Sequence, residues 1–308
     1  MGAPLVCILL GTYNGARFLA QQLQSLEEQS HDRWRLVLSD DASTDATLDI
    51  ARQFQQKWGE ARLEIRLGAR QGFVQNFLSL ACDPTIRADL YAFADQDDVW
   101  MKDKLARAVA HLGSDPKSNL PRIYCGRSLL VDVDLKPLGP SPRFARAPSF
   151  RNALVQSIAG GNTMVFNQCA KELLEAAGPQ QVVSHDWWLY QLTTGAGGIV
   201  DYDPQPMLLY RQHSDAMIGE NISLGVRVGR MLRVAGGRLS SWNSMNLAAL
   251  RRVAPLLTPE HRSLVNTFDT LRQGNLLDRM RVFSRCGIYR QTWQGTLYLR
   301  LAAVFGKI

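Results

Sequence analysis

Short apolar runs alternate with amphipathic segments through the first hundred residues. Leu5 to Leu10, bounded by Pro4 and Gly11, reads as a central strand, and Leu19, Leu23 and Leu26 then recur at helical spacing. Trp34 to Leu38 is a second strand, followed by a helix with Leu48, Ala51, Phe54 and Trp58 on one face. Leu63 to Leu67 is a third strand, Phe73 to Ala81 a helix, Leu90 to Ala94 a fourth strand, and Met101 onward a helix again. This alternation predicts an α/β fold, a parallel sheet with helices packed on it. Further on, Ile123 to Val131 reads as a strand, Pro137 to Pro148 as a Pro-rich loop, and Gly160 to Phe166 as the opening of another strand. Gln168 to Ala177 is a helix, Ser184 starts one more, and Tyr210-Arg211-Gln212-His213 closes the last strand of the body. Residues 221–308 carry no strand signal and read as helices.

The fourth strand ends in three carboxylates within four positions, Asp95-Gln96-Asp97-Asp98. Carboxylates crowded at one strand end repel each other, so a positive group belongs among them. A divalent cation, Mg²⁺ or Mn²⁺, takes one or two protein carboxylates and keeps positions open for phosphate oxygens. Strand ends are also where open α/β sheets hold their ligands. Aspartates favour the first turn of a helix, which accounts for Asp97 or Asp98 singly but not for the set after a buried strand. Two other strand ends carry polar clusters, Thr12-Tyr13-Asn14 and Asp40-Asp41. Neither Gly-x-Gly-x-x-Gly nor Gly-x-x-x-x-Gly-Lys-Ser/Thr occurs, which argues against a dinucleotide oxidoreductase and a P-loop hydrolase. A nucleotide site using carboxylates and a metal remains.

Charge divides the chain. Of 35 Lys and Arg and 28 Asp and Glu, residues 221–308 hold 14 and 3, a net of +11. Residues 1–220 hold 21 and 25, a net of −4. The basic tail suits an anionic partner surface, while the acidic body argues against a nucleic-acid-binding protein with an α/β scaffold. The five cysteines are scattered and never paired as Cys-x-x-Cys, as in a cytoplasmic protein with reduced thiols. No signal peptide is read at the N-terminus, and no apolar run reaches the length of about eighteen residues that suggests a membrane span.

Thr12-Tyr13-Asn14, Asp40-Asp41-Ala42-Ser43-Thr44-Asp45, Gly72 with Asn76, and Asp95-Gln96-Asp97-Asp98 stand in the order of family 2 glycosyltransferases with the GT-A fold. Gly72-Phe73-Val74-Gln75-Asn76-Phe77, Asp98-Val99-Trp100 and Tyr210-Arg211-Gln212-His213 resemble its bacterial rhamnosyltransferase-like branch. The resemblance covers about residues 5–215. It implies a GT-A domain over 1–220, with 221–308 as a basic helical C-terminal extension. It also implies an inverting, metal-dependent transfer from a nucleotide sugar, dTDP-L-rhamnose first and a UDP-hexose as the alternative. The acceptor would be a lipid-linked sugar or a bacterial surface polysaccharide.

Site residues follow from the same likeness. Asp186 matches the family's catalytic base; a helix cap is the competing reading, and the tandem Trp187-Trp188 beside it would form a wall for stacking sugar rings. Asp97 would hold the metal, Asp95 the ribose or the metal, and His213 the metal or a phosphate. Arg211 offers a fork for phosphate. Thr12 and Tyr13 would frame the base and Asp41, with Asp40 in reserve, would receive its N–H. Asn14, Gly72, Asn76 and Gln96 complete the nucleotide-sugar side. Gly161 and Asn162 are placed at the acceptor, although a β-bulge explains the glycines equally well. His185 is read as structural. In the tail, Arg227, Arg230, Arg233 and Arg238 fall near helical spacing among apolar residues, and Leu297 to Phe305 repeats this with Arg300 and Lys307, either to lie at the inner membrane face or to stay solvated while the helices pack on the sheet.

Overall fold

The structure, a computed structural model, describes residues 2–113, 119–212 and 239–308. His213 and the Arg227, Arg230, Arg233 and Arg238 series lie outside the described residues.

Alternation holds through the first half: β1 (Val6–Thr12), α1 (Leu19–Glu27), β2 (Trp34–Asp40), α2 (Thr47–Trp58), β3 (Leu63–Leu67), α3 (Phe73–Ala81), β4 (Leu90–Ala94). There follow β5 (Val99–Trp100), α4 (Lys104–Leu112), β6 (Arg122–Gly126), β7 (Leu129–Val131), β8 (Pro137–Pro140) and α5 (Phe150–Ala153). Next come β9 (Val165–Asn167), α6 (Gln168–Ala177), α7 (His185–Gly195), β10 (Ile199–Asp203) and β11 (Leu208–Arg211). Helices α8 (Leu239–Arg252), α9 (Pro259–Gln273), α10 (Leu276–Cys286) and α11 (Trp293–Val304) close the chain.

The main sheet has seven strands in the order β10-β6-β9-β4-β1-β2-β3. Only β9 runs against the rest, pairing antiparallel with both β4 and β6. Residues of β1 alternate between two cores, which is why the strand reads as one apolar run rather than a polar–apolar alternation. Val6, Ile8 and Leu10 pack with Leu19 and Leu23 of α1 and Leu105 of α4. Cys7 and Leu9 pack on the other face with Phe77 of α3 and Trp188 of α7. Register then places the polar strand ends side by side: Thr12 pairs with Asp40, and Leu10 pairs with Ala94, the residue before Asp95.

Three expectations change. Ile123 to Val131 is not one strand: β6 joins the main sheet, whereas β7 belongs to a second sheet ordered β5-β11-β7-β8. Its strand β8 falls inside the expected Pro-rich loop. The helix read from Met101 begins at Lys104, because Val99 and Trp100 pair antiparallel with β11. All five cysteines are free, with Cys7, Cys125 and Cys286 buried. Among the described residues, no helix is long and apolar enough to cross a membrane.

The C-terminal helices share a core with the body. Leu247, Leu250, Phe268 and Leu271 belong to the same buried cluster as Phe93, Phe166 and Trp188. Polar ties cross the same boundary: Val183 N donates to Asn246 Oδ1 at 3.1 Å, and Asn152 Nδ2 donates to Tyr289 O at 3.0 Å. Phe268→Ala should therefore cost about 3–5 kcal/mol and lower the midpoint of a single denaturant transition. Two separated transitions, with the sheet's transition unmoved, would contradict a shared core.

Candidate active site

The end of β4 turns through Asp95-Gln96-Asp97-Asp98 directly into β5, so the chain delivers its carboxylates in one bend. Asp98 is fully buried; its Oδ2 accepts from Asn162 Nδ2 at 2.6 Å, and its Oδ1 has no hydrogen-bond partner among the described residues. Burial, then the charges of Asp95 and Asp97, raise its pKa well above the usual range. Asp95 is half-buried, and burial together with Asp97 and Asp186 pushes it up to about 8. Beneath the bend lies a group the sequence reading missed, Lys104 at the start of α4. Its buried Nζ sits 3.4 Å over the Trp100 ring without a hydrogen-bond partner among the described residues, and burial pushes its pKa down to about 7. The signal was a lysine four positions after a strand-end tryptophan, which looks like any helix-starting cation.

Asp186 reaches this region from the first turn of α7. Its Oδ1 accepts from Trp187 N at 2.6 Å and its Oδ2 from Gly161 N at 3.0 Å. The carboxylate is thus fixed in orientation while remaining half-exposed. Gly161 opens a short 3-10 turn, Gly161–Thr163, rather than a bulge. A Cβ there would stand 2.5 Å from His185 Nε2 and 3.3 Å from Asp186 Cβ. The close approach that this glycine permits is therefore to the His185-Asp186 pair. His185 is buried as expected, stacked on Phe77 at 4.0 Å and edge-on to Phe93 at 4.6 Å. Burial holds it neutral by pushing its pKa down to about 4.

The polar strand ends interlock. The Gln96 amide grips the Tyr13 backbone at both ends, accepting from its N at 2.9 Å and donating to its O at 3.0 Å. Asn14, at a φ of 47°, donates its N to Ser43 Oγ at 2.8 Å and accepts Thr44 N on its side chain at 2.8 Å. Asp40 accepts from Thr12 Oγ1 at 3.0 Å and Ser43 N at 2.9 Å. Asp41 accepts from Arg70 N at 2.6 Å and Gly72 N at 2.8 Å, and the φ of 85° at Gly72 suits glycine. Asn76 Nδ2 donates to Ser39 O at 2.9 Å. The side chains of Thr12, Asn14, Asp40, Asn76 and Gln96 thus brace one another's loops. Tyr13, 58% exposed, is the aromatic left facing outward.

Two expectations need correction. Trp187 and Trp188 are buried, with Trp187 Nε1 donating to Ala153 O at 2.6 Å, so neither offers a face for a sugar. They are apolar ballast on a helix buried along nearly its whole length. Arg211 is buried too, and its fork is committed internally. Nε donates to Asp97 O at 2.9 Å, Nη1 to Val133 O and Nη2 to Gln21 Oε1, with the guanidinium 4.4 Å over the Phe18 ring. Arg211 therefore holds the backbone under Asp97 rather than presenting a free fork. Among the described residues, no three His, Cys, Asp or Glu side chains are arranged to hold a metal ion. Asp95 and Asp97 are the protein carboxylates of the expected set, its third member His213 being outside those residues.

The family described as "Glycosyl transferase family 2" matches residues 7–173. The dTDP-rhamnosyl transferase RfbG of Shigella flexneri is 29% identical over 237 residues, covering 72% of this chain and 78% of that protein. A PGL/p-HBAD biosynthesis glycosyltransferase of Mycobacterium tuberculosis is 36% identical over 120 residues, covering 39% of this chain and 46% of its own length. Among solved structures, the mannosyltransferase PcManGT from Pyrobaculum calidifontis, in complex with GDP-Man and Mn²⁺, superposes with a TM-score of 0.55 at 19% identity. That match covers 100% of this chain and 88% of the other. TarS 1-349 of S. aureus, in complex with UDP-GlcNAc, gives a TM-score of 0.55 at 14% identity over 97% and 81%. The likeness establishes the GT-A fold expected from the sequence.

If the Gly161 gap positions the His185-Asp186 pair, Gly161→Ala should move Asp186 without touching the nucleotide side. The expected result is turnover reduced about 10²-fold with nucleoside diphosphate affinity unchanged, measured by steady-state kinetics and calorimetry. Unchanged turnover would show that the cleft absorbs the extra methyl group.

Proposed function

This chain belongs to glycosyl transferase family 2, and from that premise we propose that it moves L-rhamnose from dTDP-L-rhamnose onto a saccharide hydroxyl, with inversion. The observation that carries the reading is the Asp186 carboxylate at the start of α7, held by Gly161 N and Trp187 N within electrostatic reach of Asp95 just after β4. One carboxylate is oriented by two backbone N–H groups; the other stands in the bend that ends in the buried Asp98. The similarity to a dTDP-rhamnosyl transferase supports the donor.

In this reading Asp186 takes the proton from the acceptor hydroxyl, which attacks the anomeric carbon in line and expels the nucleoside diphosphate. Tyr13 offers its exposed ring to the base, and Asp41 receives the base N–H. Thr12, Asn14, Asp40, Gly72, Asn76 and Gln96 shape the rim that holds the nucleotide. Asn162, through Asp98, and Gly161, through Asp186, set the floor where the acceptor meets the donor. Arg211 supports Asp97 from behind.

The donor set fits a divalent cation, Mg²⁺ or Mn²⁺. Asp95 and Asp97 would supply hard oxygen ligands, and burial, then the charges of Asp97 and Asp186, raise the pKa of Asp95, a shift that a bound cation would oppose. The fold neighbour solved with Mn²⁺ supports the same choice. When bound, the cation supplies Lewis-acid stabilisation of the departing diphosphate. Residues 1–220 form the transferase domain in this account, and residues 221–308 the basic extension that brings it to an acceptor carried on a lipid or a growing surface polysaccharide.

The test is a panel of nucleotide sugars with Mg²⁺ or Mn²⁺ and saccharide acceptors, scored by nucleoside diphosphate release. dTDP-L-rhamnose should give the highest rate, and Asp186→Asn should lower it by about 10²–10⁴-fold while retaining dTDP binding. Preferential release from UDP-hexoses would transfer the donor assignment to them. Wild-type turnover by Asp186→Asn would exclude that residue as the base.

A further inference from the structure

Helix α11 is apolar on two sides. Its inner side buries Leu299, Ala302 and Ala303 in the shared core. Trp293, Leu297, Leu301 and Phe305 recur every fourth residue along and just beyond the helix, 72%, 50%, 49% and 71% exposed. Neighbouring residues four apart on a helix lie on one side, so these form a continuous outward row rather than scattered surface residues. A helix with apolar rows on two sides gains stability when both are covered. Helix α10 packs alongside, with Arg279 Nη1 donating to Val304 O at 3.3 Å, and exposes Leu277 and Met280 at 65% and 55%.

The charge around this row identifies its cover. Residues 276–308 carry six basic side chains, among them Arg281, Arg285, Arg300 and Lys307, against one acidic residue, Asp278. An open hollow of about 230 Å³ between α10 and α11 is lined by Arg146, Arg300, Phe283 and Tyr289. Arg146 lies 3.7 Å over the Tyr289 ring and donates Nη1 to Arg290 O at 3.3 Å, which fixes its guanidinium beside the hollow. Aromatic residues at both ends of an apolar row, in a segment rich in arginine, match a helix lying in the interface of an anionic bilayer.

We propose that the α10–α11 face docks on an anionic lipid surface, with Trp293, Leu297, Leu301 and Phe305 entering the headgroup region and Arg146 and Arg300 receiving lipid phosphate. This deepens the reading of a carrier-borne acceptor and rests on it for its purpose only. The basic series at Arg227 to Arg233 plays no part in it.

The experiment uses the full chain and vesicles of phosphatidylcholine with or without phosphatidylglycerol, read by flotation at low and high salt. Dansylated dTDP with Mn²⁺ reports the nucleotide site in parallel. Wild type should float with phosphatidylglycerol vesicles at low salt and lose most of that binding at high salt. Leu297→Glu with Leu301→Glu should lose flotation at least about 10-fold and keep nucleotide binding; Leu67→Glu, an exposed leucine on β3, should change neither. Should the double variant misfold, Trp293→Ser serves the same purpose. Wild type that does not float, or variants that float equally, overturns the proposal even when nucleotide binding is intact. So does a concentration-dependent dimer that the double variant dissociates, which would assign the row to a second copy. Loss of nucleotide binding by wild type, with flotation kept, would instead strike the donor reading.

Discussion

Mutual repulsion among carboxylates is the constraint on which the site depends. Asp95, Asp97 and Asp98 leave β4 together, and α7 brings Asp186 close enough for its charge to act on Asp95. Unit charges a few ångströms apart interact by several kcal/mol where water is partly excluded. The fold relieves some of this locally: Asn162 donates to Asp98, Gly161 N and Trp187 N donate to Asp186, and Arg211 lies behind Asp97. Burial first, and then the remaining repulsion from Asp97 and Asp186, raise the pKa of Asp95. Carboxylates crowded and buried at a strand end are ready for a cation and the anionic ligand that comes with it.

The rest of the architecture serves to hold that arrangement. Parallel β1, β2 and β4 end in register, so side chains from three loops meet and brace each other through Gln96, Asn14 and Asp40. The antiparallel β9 is inserted between β4 and β6, and the turn before it carries Gly161 and Asn162 to the carboxylates. Rigid elements on both faces of the sheet thereby fix acidic groups that would otherwise separate. The C-terminal helices reinforce the α7 side through a shared core while leaving their outer, apolar and basic face to another surface.

Much of this was legible because the physics is local. A strand buried on both faces must be an apolar run, and β1, β2 and β4 were found on that ground. Carboxylates following such a run were informative because no helix cap needs three of them. What stayed hidden depends on contacts distant in sequence. Trp187 and Trp188 read as a sugar platform since a tryptophan looks the same whether it faces a cleft or a core; burial of α7 against α5 and α8 decided it. Arg211 read as a phosphate fork since its acceptors, Asp97, Val133 and Gln21, come from three separate segments. Residues 123 to 131 read as one strand because Gly126-Arg127-Ser128 turns the chain between sheets without a proline to mark it. Lys104 was invisible because a buried lysine and a solvated one have the same sequence signature.

The central claim is that the crowded carboxylates at the end of β4 make nucleotide binding depend on a divalent cation. Calorimetric titration of dTDP into the protein near pH 7, with Mn²⁺ or with chelator, in two buffers of different ionisation enthalpy, tests it most directly. Burial, with Asp97 and Asp186 nearby, pushes the pKa of Asp95 up to about 8, and a ligating carboxylate is ionised, so binding should require Mn²⁺ and release protons, up to about one per site. Equal dTDP affinity in chelator, with no proton released, would contradict the account.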